Sequence, residues 1–151
     1  MYLTLNLFAM KKFALLCLAL GFVVSCSVND DGTSYSFEVL PVESVDIPDE
    51  FVMGETYPIT VSYFRPSTCH GFKEFYYQKE NNQRTVAPIN YVFESSDCET
   101  LEDVLTEATL NFIVTSNGSY IFKFWQGKDE NDESQYLTIE VPVVEWKTGF
   151  N

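Results

Sequence analysis

The chemically reactive side chains of the sequence do not assemble into a known catalytic motif. Nucleophilic hydrolysis needs a base beside the nucleophile, and His70 is the only histidine in the chain. No Gly-x-Ser-x-Gly motif is present, and the 7 glycines are too scattered to form a phosphate-binding loop. Carboxylates are numerous, but most fall in expected turns or on expected solvent-facing strand positions. The sequence therefore predicts a protein that is not an enzyme and that needs no cofactor.

An acidic segment near the end of the chain alternates oxygen-bearing side chains in the manner of a calcium loop. Its possible calcium ligands are Asp129, Asn131, Asp132 and Glu133. Glu140 follows where an EF-hand places its bidentate glutamate, but Ser134 replaces the glycine that such a loop requires. No flanking helices are expected, so the EF-hand interpretation fails. A simpler calcium loop remains a hypothesis, and the alternative is a solvated hairpin tip that discourages edge pairing.

Several aromatic residues could form a platform for a sugar or a peptide. The candidates are Tyr76, Tyr77, Trp125 and Trp146. In its alternating segment, Trp125 lies opposite the face that carries Phe122 and Phe124. Trp125 is therefore expected to be the most exposed of the four. The alternative is that these rings pack in the core or under a second layer.

The beginning of the chain has the pattern of an export signal. Lys11 and Lys12 precede an apolar run over residues 13–24. That run is shorter than the ~20 residues that a membrane-spanning helix needs, so it predicts a signal peptide rather than a stable anchor. Met10 fits the start of this leader, because residues 1–9 add nothing that a signal peptide requires.

Val23-Val24-Ser25-Cys26 resembles the lipobox of bacterial lipoproteins. The resemblance implies a signal peptide over residues 1–25, cleavage before Cys26, and a lipid anchor on the Cys26 thiol. Residues 26–34 are small, polar and acidic, so they are expected to form a flexible tether. Position 27 is a serine (Ser27) and not the aspartate that retains many Gram-negative lipoproteins at the inner membrane. The resemblance therefore implies that the protein is located at the outer membrane of the cell envelope. The pair Asp30-Asp31 resembles an export signal for surface-exposed lipoproteins.

Two cysteines remain after the leader and the lipid site are assigned. Cys17 lies in the leader, which leaves Cys69 and Cys98 in the mature domain. The export signal places that domain in an oxidising compartment, where an even number of cysteines indicates disulfide pairing. We predict that they form a disulfide, which could stabilise the domain by ~3–4 kcal/mol in the chain-entropy model. The alternative is a metal site that uses Cys69, His70 and Cys98. Zinc usually takes four ligands, and the sequence offers no second histidine.

From residue 35 onward, apolar residues mostly alternate, which predicts antiparallel strands with one buried face. The expected strands are 35–43, 57–64, 72–79, 84–94, 108–115, 119–126 and 135–144. Asn117-Gly118 separates two of them and predicts a tight hairpin. The high aromatic content, with 13 Phe and 9 Tyr, also favours strands.

About seven short strands suggest an all-β fold, a single immunoglobulin-like antiparallel β-sandwich over residues 35–146, followed by a tail over residues 147–151. A small open barrel is the alternative. The segment Tyr120–Trp125 and the segment Leu137–Val143 together resemble the closing hairpin of small β-sandwich lipoproteins of bacterial envelopes. That resemblance implies no activity.

The formal net charge of −13 repels nucleic acid phosphates and anionic lipid head groups, so nucleic acid is not an expected partner. The sequence favours a membrane-anchored, non-enzymatic binding or structural module for an unknown envelope protein or ligand. One alternative is an accessory subunit of an uptake or envelope-assembly complex. Another is a calcium- or carbohydrate-binding domain.

Overall fold

The computed structural model describes residues 34–145, which form ten strands. The strands are β1 (Tyr35–Val39), β2 (Val42–Asp46), β3 (Phe51–Val52), β4 (Thr56–Phe64), β5 (His70–Glu80), β6 (Gln83–Phe93), β7 (Leu105–Ile113), β8 (Tyr120–Lys128), β9 (Ser134–Val141) and β10 (Val143–Val144). The expected leader, the predicted lipid site at Cys26, Trp146 and the expected C-terminal tail lie outside the described residues.

The strands form a five-stranded sheet, a three-stranded sheet and one short parallel pair. In the five-stranded sheet, β5 covers one edge of β6, and β1 and β8 share its other edge. β1 pairs with the second half of β6, β8 pairs in parallel with the first half, and β9 continues the sheet beyond β8. The three-stranded sheet has the order β2-β4-β7, and β3 pairs with β10. The fold is an all-β sandwich, as predicted, but it is not wholly antiparallel, because β8 pairs in parallel with β6 and β10 pairs in parallel with β3.

Aromatic side chains from both sheets meet in the core. The ring of Phe112 on β7 lies 5.0 Å from that of Phe122 on β8, and Phe51 on β3 contacts both. These rings are buried because alternate residues of each strand point into the sandwich. Burial of each large side chain stabilises the fold by ~1.5–3 kcal/mol relative to exposure.

All seven predicted strands are present, and two of them are divided. The expected strand 35–43 is split because the chain crosses from the five-stranded to the three-stranded sheet at Pro41. The expected strand 135–144 is split at Pro142, whose carbonyl accepts a hydrogen bond from the Phe51 N–H. Proline has no N–H to donate to a ladder, which suits both breaks.

The hairpin predicted at Asn117-Gly118 is wrong. β7 pairs with β4, whereas β8 pairs with β6 and β9, so the connection between β7 and β8 crosses from one sheet to the other. Neither Asn117 nor Gly118 has a positive φ. The tight two-residue hairpin instead joins β5 to β6 through Asn81-Asn82, with φ of 52° at Asn81. The apolar faces of β7 and β8 therefore pack across the core instead of lying side by side.

Candidate functional site

The five-stranded sheet exposes aromatic rings on the face that points away from the core. Across β1 and β6, Tyr35 lies opposite Phe93 and Phe37 lies opposite Tyr91, so all four rings share this outer face. Tyr35 and Phe37 are 51% and 55% exposed. The ring centroids of Tyr35 and Tyr91 are 5.2 Å apart, and Lys73 Nζ lies 4.4 Å from the Phe37 centroid. We call these four rings the aromatic cluster.

Further along β6, the same outer face carries a shallow groove of about 270 Å³. Its lining residues are Val39, Tyr76, Thr85, Ala87, Trp125 and Tyr136. Ala87 is 2% exposed, whereas Tyr76 is 44% exposed. The small Ala87 side chain therefore lies beneath larger rings, and this difference in size gives the groove its depth. We call this feature the aromatic groove.

Polar atoms accompany the rings of the aromatic groove. The Tyr76 hydroxyl donates a hydrogen bond to Gln78 Oε1 at 2.8 Å, and Trp125 Nε1 donates to Ser134 Oγ at 3.3 Å. Lys123 Nζ lies 4.3 Å from the centroid of the Tyr136 ring, within the range of a cation–π contact. Each ring thus combines an apolar surface with nearby donors and acceptors.

The aromatic groove and the aromatic cluster lie along the same face of β6, between Thr85 and Phe93. With ~3.3 Å per residue, this strip is roughly 25 Å long. Such a strip can pack against the C–H faces of several sugar rings in an extended chain, while polar atoms at the rim bind hydroxyl groups.

The structure brings together two of the aromatic residues singled out in the sequence. Tyr76 and Trp125 line the same groove. The expectation that Trp125 is the most exposed candidate is wrong: Trp125 is half-buried on the outer face among its groove neighbours, whereas Tyr76 and Tyr77 are 44% and 42% exposed. Tyr77 points to the opposite face of β5, and Trp146 lies outside the described residues. Sequence reasoning missed Val39, which reaches the groove because the distant strands β1 and β6 pair, and Tyr136, which lies opposite Trp125 across the β8–β9 hairpin.

The acidic loop between β8 and β9 uses its carboxylates within the turn. Asp129 Oδ1 accepts hydrogen bonds from the N–H groups of Asn131 and Glu133, and Asp129 Oδ2 accepts from Gln135 Nε2. Lys128 Nζ lies 2.8 Å from Asp132 Oδ1. Among residues 34–145, no three histidine, cysteine or acidic side chains are grouped so that they could hold a metal ion. The arrangement is that of a hydrogen-bonded hairpin tip.

The sulfur atoms of Cys69 and Cys98 lie at disulfide-bond distance, with Cα atoms 5.4 Å apart. Cys69 precedes β5, and Cys98 lies in the connection from β6 to β7. Backbone contacts join the same two segments: the Thr68 N–H donates to the Glu99 carbonyl at 2.9 Å. This geometry is the one that the predicted disulfide requires.

His70 contacts two polar side chains that its sequence position does not reveal. Its Nε2 lies 2.8 Å from Glu38 Oε2 on β1, and its Nδ1 lies 2.7 Å from Ser67 Oγ. A carboxylate only accepts hydrogen bonds, so Nε2–H donates to Glu38, and Nδ1 shares a hydrogen bond with the Ser67 hydroxyl. Ser67 Oγ also accepts a hydrogen bond from the Cys69 N–H at 3.2 Å. These contacts fasten the segment before β5 to β1.

The fold and the site define an all-β sandwich with an exposed aromatic strip along its five-stranded sheet. Comparisons with protein-family models, with curated proteins and with solved structures find no match. Residues 34–145 contain no helix long and apolar enough to cross a membrane.

Proposed function

We propose that this chain is a lipid-anchored, non-enzymatic binding module of the bacterial cell envelope that binds carbohydrate polymers on the outer face of its five-stranded sheet. The observation that carries the proposal is the row of exposed aromatic rings on that face, formed by the aromatic cluster and the aromatic groove. Exposed apolar patches of this kind mark interaction sites on soluble domains.

The shape of the strip favours a polysaccharide over an extended peptide. A peptide that adds to a sheet needs the free backbone groups of an edge strand. The rings of Tyr35, Phe37 and Tyr76 instead lie on the face of the sheet. A flat face with ring-shaped platforms matches the apolar side of pyranose rings, which present C–H groups to aromatic surfaces.

The sequence supports the anchored location. The leader and Val23-Val24-Ser25-Cys26 are expected to direct lipid to Cys26, and more than one acyl chain is needed for stable anchoring. The expected tether over residues 26–34 reaches at most roughly 30 Å when extended, at ~3.6 Å per residue. The domain would therefore stay near the membrane. We propose that this membrane is the outer membrane and that the domain faces the cell exterior.

The test is retention on immobilised polysaccharides, with the full-length chain purified in detergent. The panel contains starch, xylan, pectin, chitin and peptidoglycan. We expect retention by at least one polymer, and a loss of retention of about tenfold in Trp125→Ala and Tyr76→Ala, since removing one buried contact in an interface costs ~1–2 kcal/mol. Phe64→Ala is the matched control, because Phe64 is an exposed aromatic residue of the other sheet.

Two results would overturn the proposal. The first is that no polymer of the panel retains the wild-type chain. The second is that Phe64→Ala lowers retention as much as Trp125→Ala does, because retention would then reflect general adhesion of aromatic side chains.

A second candidate is an accessory subunit of an uptake or envelope-assembly complex. The aromatic cluster favours it, because Tyr35 and Phe37 lie at the start of the domain, next to the expected tether. A protein partner on the cluster would be captured by crosslinking in intact cells at a photoreactive residue placed at Phe37. No partner would be captured from the same position if the cluster contacts only sugar.

A further inference from the structure

A second groove opens on the side of the sandwich, between the edge strands β5 and β7, with a volume of about 330 Å³. Its lining residues are Tyr77, Lys79, Arg84, Leu110, Asn111, Phe112, Ile113 and Thr115. We call it the lateral groove. It lies on the opposite face of β5 and β6 from the aromatic groove, so the two features are independent.

Arg84 is the unusual residue of the lateral groove, because its side chain is charged and yet only 3% exposed. Its Nη1 donates hydrogen bonds to the carbonyls of Asn81 and Gln83, at 2.9 and 2.6 Å. Its Nε has no hydrogen-bond partner, and no carboxylate lies within 4.0 Å of the guanidinium among residues 34–145. A buried charge is costly unless it is paired, so this guanidinium lacks the partner that such groups normally have.

The surroundings of Arg84 are positive and aromatic. Lys79 lies directly opposite Arg84 across β5 and β6, and both side chains line the groove. The guanidinium carbon lies 4.9 Å from the Tyr120 ring centroid and 6.0 Å from that of Phe112. The chain contains 22 acidic residues, and none of those between positions 34 and 145 lines this groove.

The neighbouring tyrosines respond to the charge of Arg84. Burial acts to raise the pKa of Tyr120, but its hydrogen bonds with Thr115 and Ser116 and the positive charge of Arg84 outweigh burial and lower that pKa. The pKa of Tyr77 is raised by burial, and both the charge of Arg84 and a side-chain hydrogen bond with Arg84 oppose that rise. The lateral groove therefore presents two positively charged side chains within an acidic protein.

We propose that the lateral groove binds an oxyanion, with Arg84 as its central hydrogen-bond donor and Lys79 as a second positive charge at the rim. The ligand class is a small molecule or a polymer residue that carries a carboxylate or a phosphate group. A guanidinium binds carboxylate and phosphate groups through two parallel hydrogen bonds. The Arg84 Nε lacks a partner but is itself buried, so we assign the ligand contact to the part of the guanidinium that lines the groove. A volume of about 330 Å³ suits a ligand of the size of one sugar acid.

The test is isothermal titration calorimetry on the full-length chain in detergent, at constant ionic strength, with three probes. Inorganic phosphate represents a phosphate ligand, sodium glucuronate represents a carboxylate on a sugar, and sodium chloride is the control for general ionic effects. We expect saturable binding of phosphate or glucuronate but not of chloride. Phosphate alone would identify a phosphoryl ligand, and glucuronate alone would identify a sugar acid.

Matched variants assign the binding to the groove. We expect Arg84→Met to weaken the dissociation constant at least ~10-fold and Lys79→Met to weaken it ~3-fold, since hydrogen bonds to charged groups are the stronger kind. Lys128→Met removes a positive charge at the β8–β9 loop and should leave binding unchanged. Trp125→Ala should also leave it unchanged, so failure of the carbohydrate proposal and failure of this one are distinguishable. If Arg84→Met does not fold, Lys79→Met still tests whether the anion binds in the lateral groove. Lys79 is exposed, so its replacement should not unfold the domain.

The proposal is overturned if neither phosphate nor glucuronate shows saturable binding to the wild-type chain. It is also overturned if Lys128→Met weakens binding as much as Lys79→Met, because the anion would then respond to net charge rather than to the groove.

Discussion

The carboxylate of Glu38 lies 2.8 Å from Nε2 of His70, and this contact joins β1 to the start of β5. Ser67 Oγ lies 2.7 Å from Nδ1, so the three side chains form a serine–histidine–carboxylate series in which the two ring nitrogens are exchanged relative to a hydrolase triad. Ser67, however, also accepts from the Cys69 N–H, and its carbonyl accepts from the His70 N–H. We therefore interpret the set as a turn that anchors the loop beside the cysteine pair.

This interpretation predicts the behaviour of Ser67→Ala. The substitution removes a hydrogen bond from a buried imidazole, so we expect the free energy of unfolding to fall by ~1–2 kcal/mol in urea titrations. The same protein should hydrolyse p-nitrophenyl acetate no faster and no slower than the wild-type chain. A hydrolysis rate that depends on Ser67 would contradict a purely structural role and indicate an esterase.

The cysteine pair predicts a thiol count and a stability difference. Cys98→Ser should lower the free energy of unfolding by ~3–4 kcal/mol, because the loop between positions 69 and 98 is no longer closed in the unfolded chain. A thiol titration of the denatured wild-type chain, before and after reduction, should show that two further thiols appear only on reduction. The predicted bond would be contradicted if the thiols of Cys69 and Cys98 both titrate without a reductant.

The hydrogen bonds of the acidic hairpin tip predict that Asp129 stabilises the domain without calcium. Asp129→Ala removes the acceptor for the N–H groups of Asn131 and Glu133, so we expect the melting temperature to fall by a few degrees, equivalent to ~1 kcal/mol. The decrease should be the same in calcium and in a chelator. Calcium-dependent stabilisation of the wild-type chain that is lost in Asp129→Ala would restore the calcium-loop hypothesis.

Tyr63 predicts a pH dependence of stability. Its hydroxyl donates to Asn90 Oδ1 at 3.2 Å, and burial raises its pKa above the usual 10.0, against the opposing effects of Asn90 and Arg65. Below pH 10 the tyrosine is neutral in both states, and Tyr63→Phe should cost ~1–2 kcal/mol by leaving the buried amide oxygen unpaired. As the pH rises above 10, the unfolded chain loses its proton first, so the folded state loses stability.

The measurement is the free energy of unfolding of the two proteins at several pH values. The advantage of the wild-type chain over Tyr63→Phe should be constant below pH 10 and should shrink above it. If the difference in free energy of unfolding between the wild-type chain and Tyr63→Phe stays constant through pH 11, burial does not shift the Tyr63 pKa.

Local patterns predicted the strands well, because alternation is set by each strand alone. Ile59, Val61 and Tyr63 are fully buried on one face of β4, as their spacing indicates. Trp125 likewise lies opposite Phe122 and Phe124 and is half-buried on the outer face. These features depend only on the period of two residues along a strand.

Strand partners were harder to predict, because they depend on contacts between distant segments. The Asn117-Gly118 pair has strong hairpin chemistry, yet burial of Phe112 against Phe122 across the core determines the path of the chain there. The candidate sites show the same limit. Val39 on β1 reaches the aromatic groove, and Phe112 on β7 reaches the lateral groove, only through contacts between strands that are far apart in the sequence.

Fluorescence of Trp125 tests the proposed carbohydrate function most directly. The chain contains 2 tryptophans, so Trp146→Phe leaves Trp125 as the sole reporter, and it lies in the aromatic groove. Titration with an oligosaccharide of the retained polymer should change the Trp125 emission saturably and protect the ring from acrylamide. Tyr76→Ala in the same background should weaken that titration about tenfold, which corresponds to ~1.4 kcal/mol. Saturable oligosaccharide binding that leaves both Trp125 emission and its quenching unchanged would contradict binding at this face of the sheet.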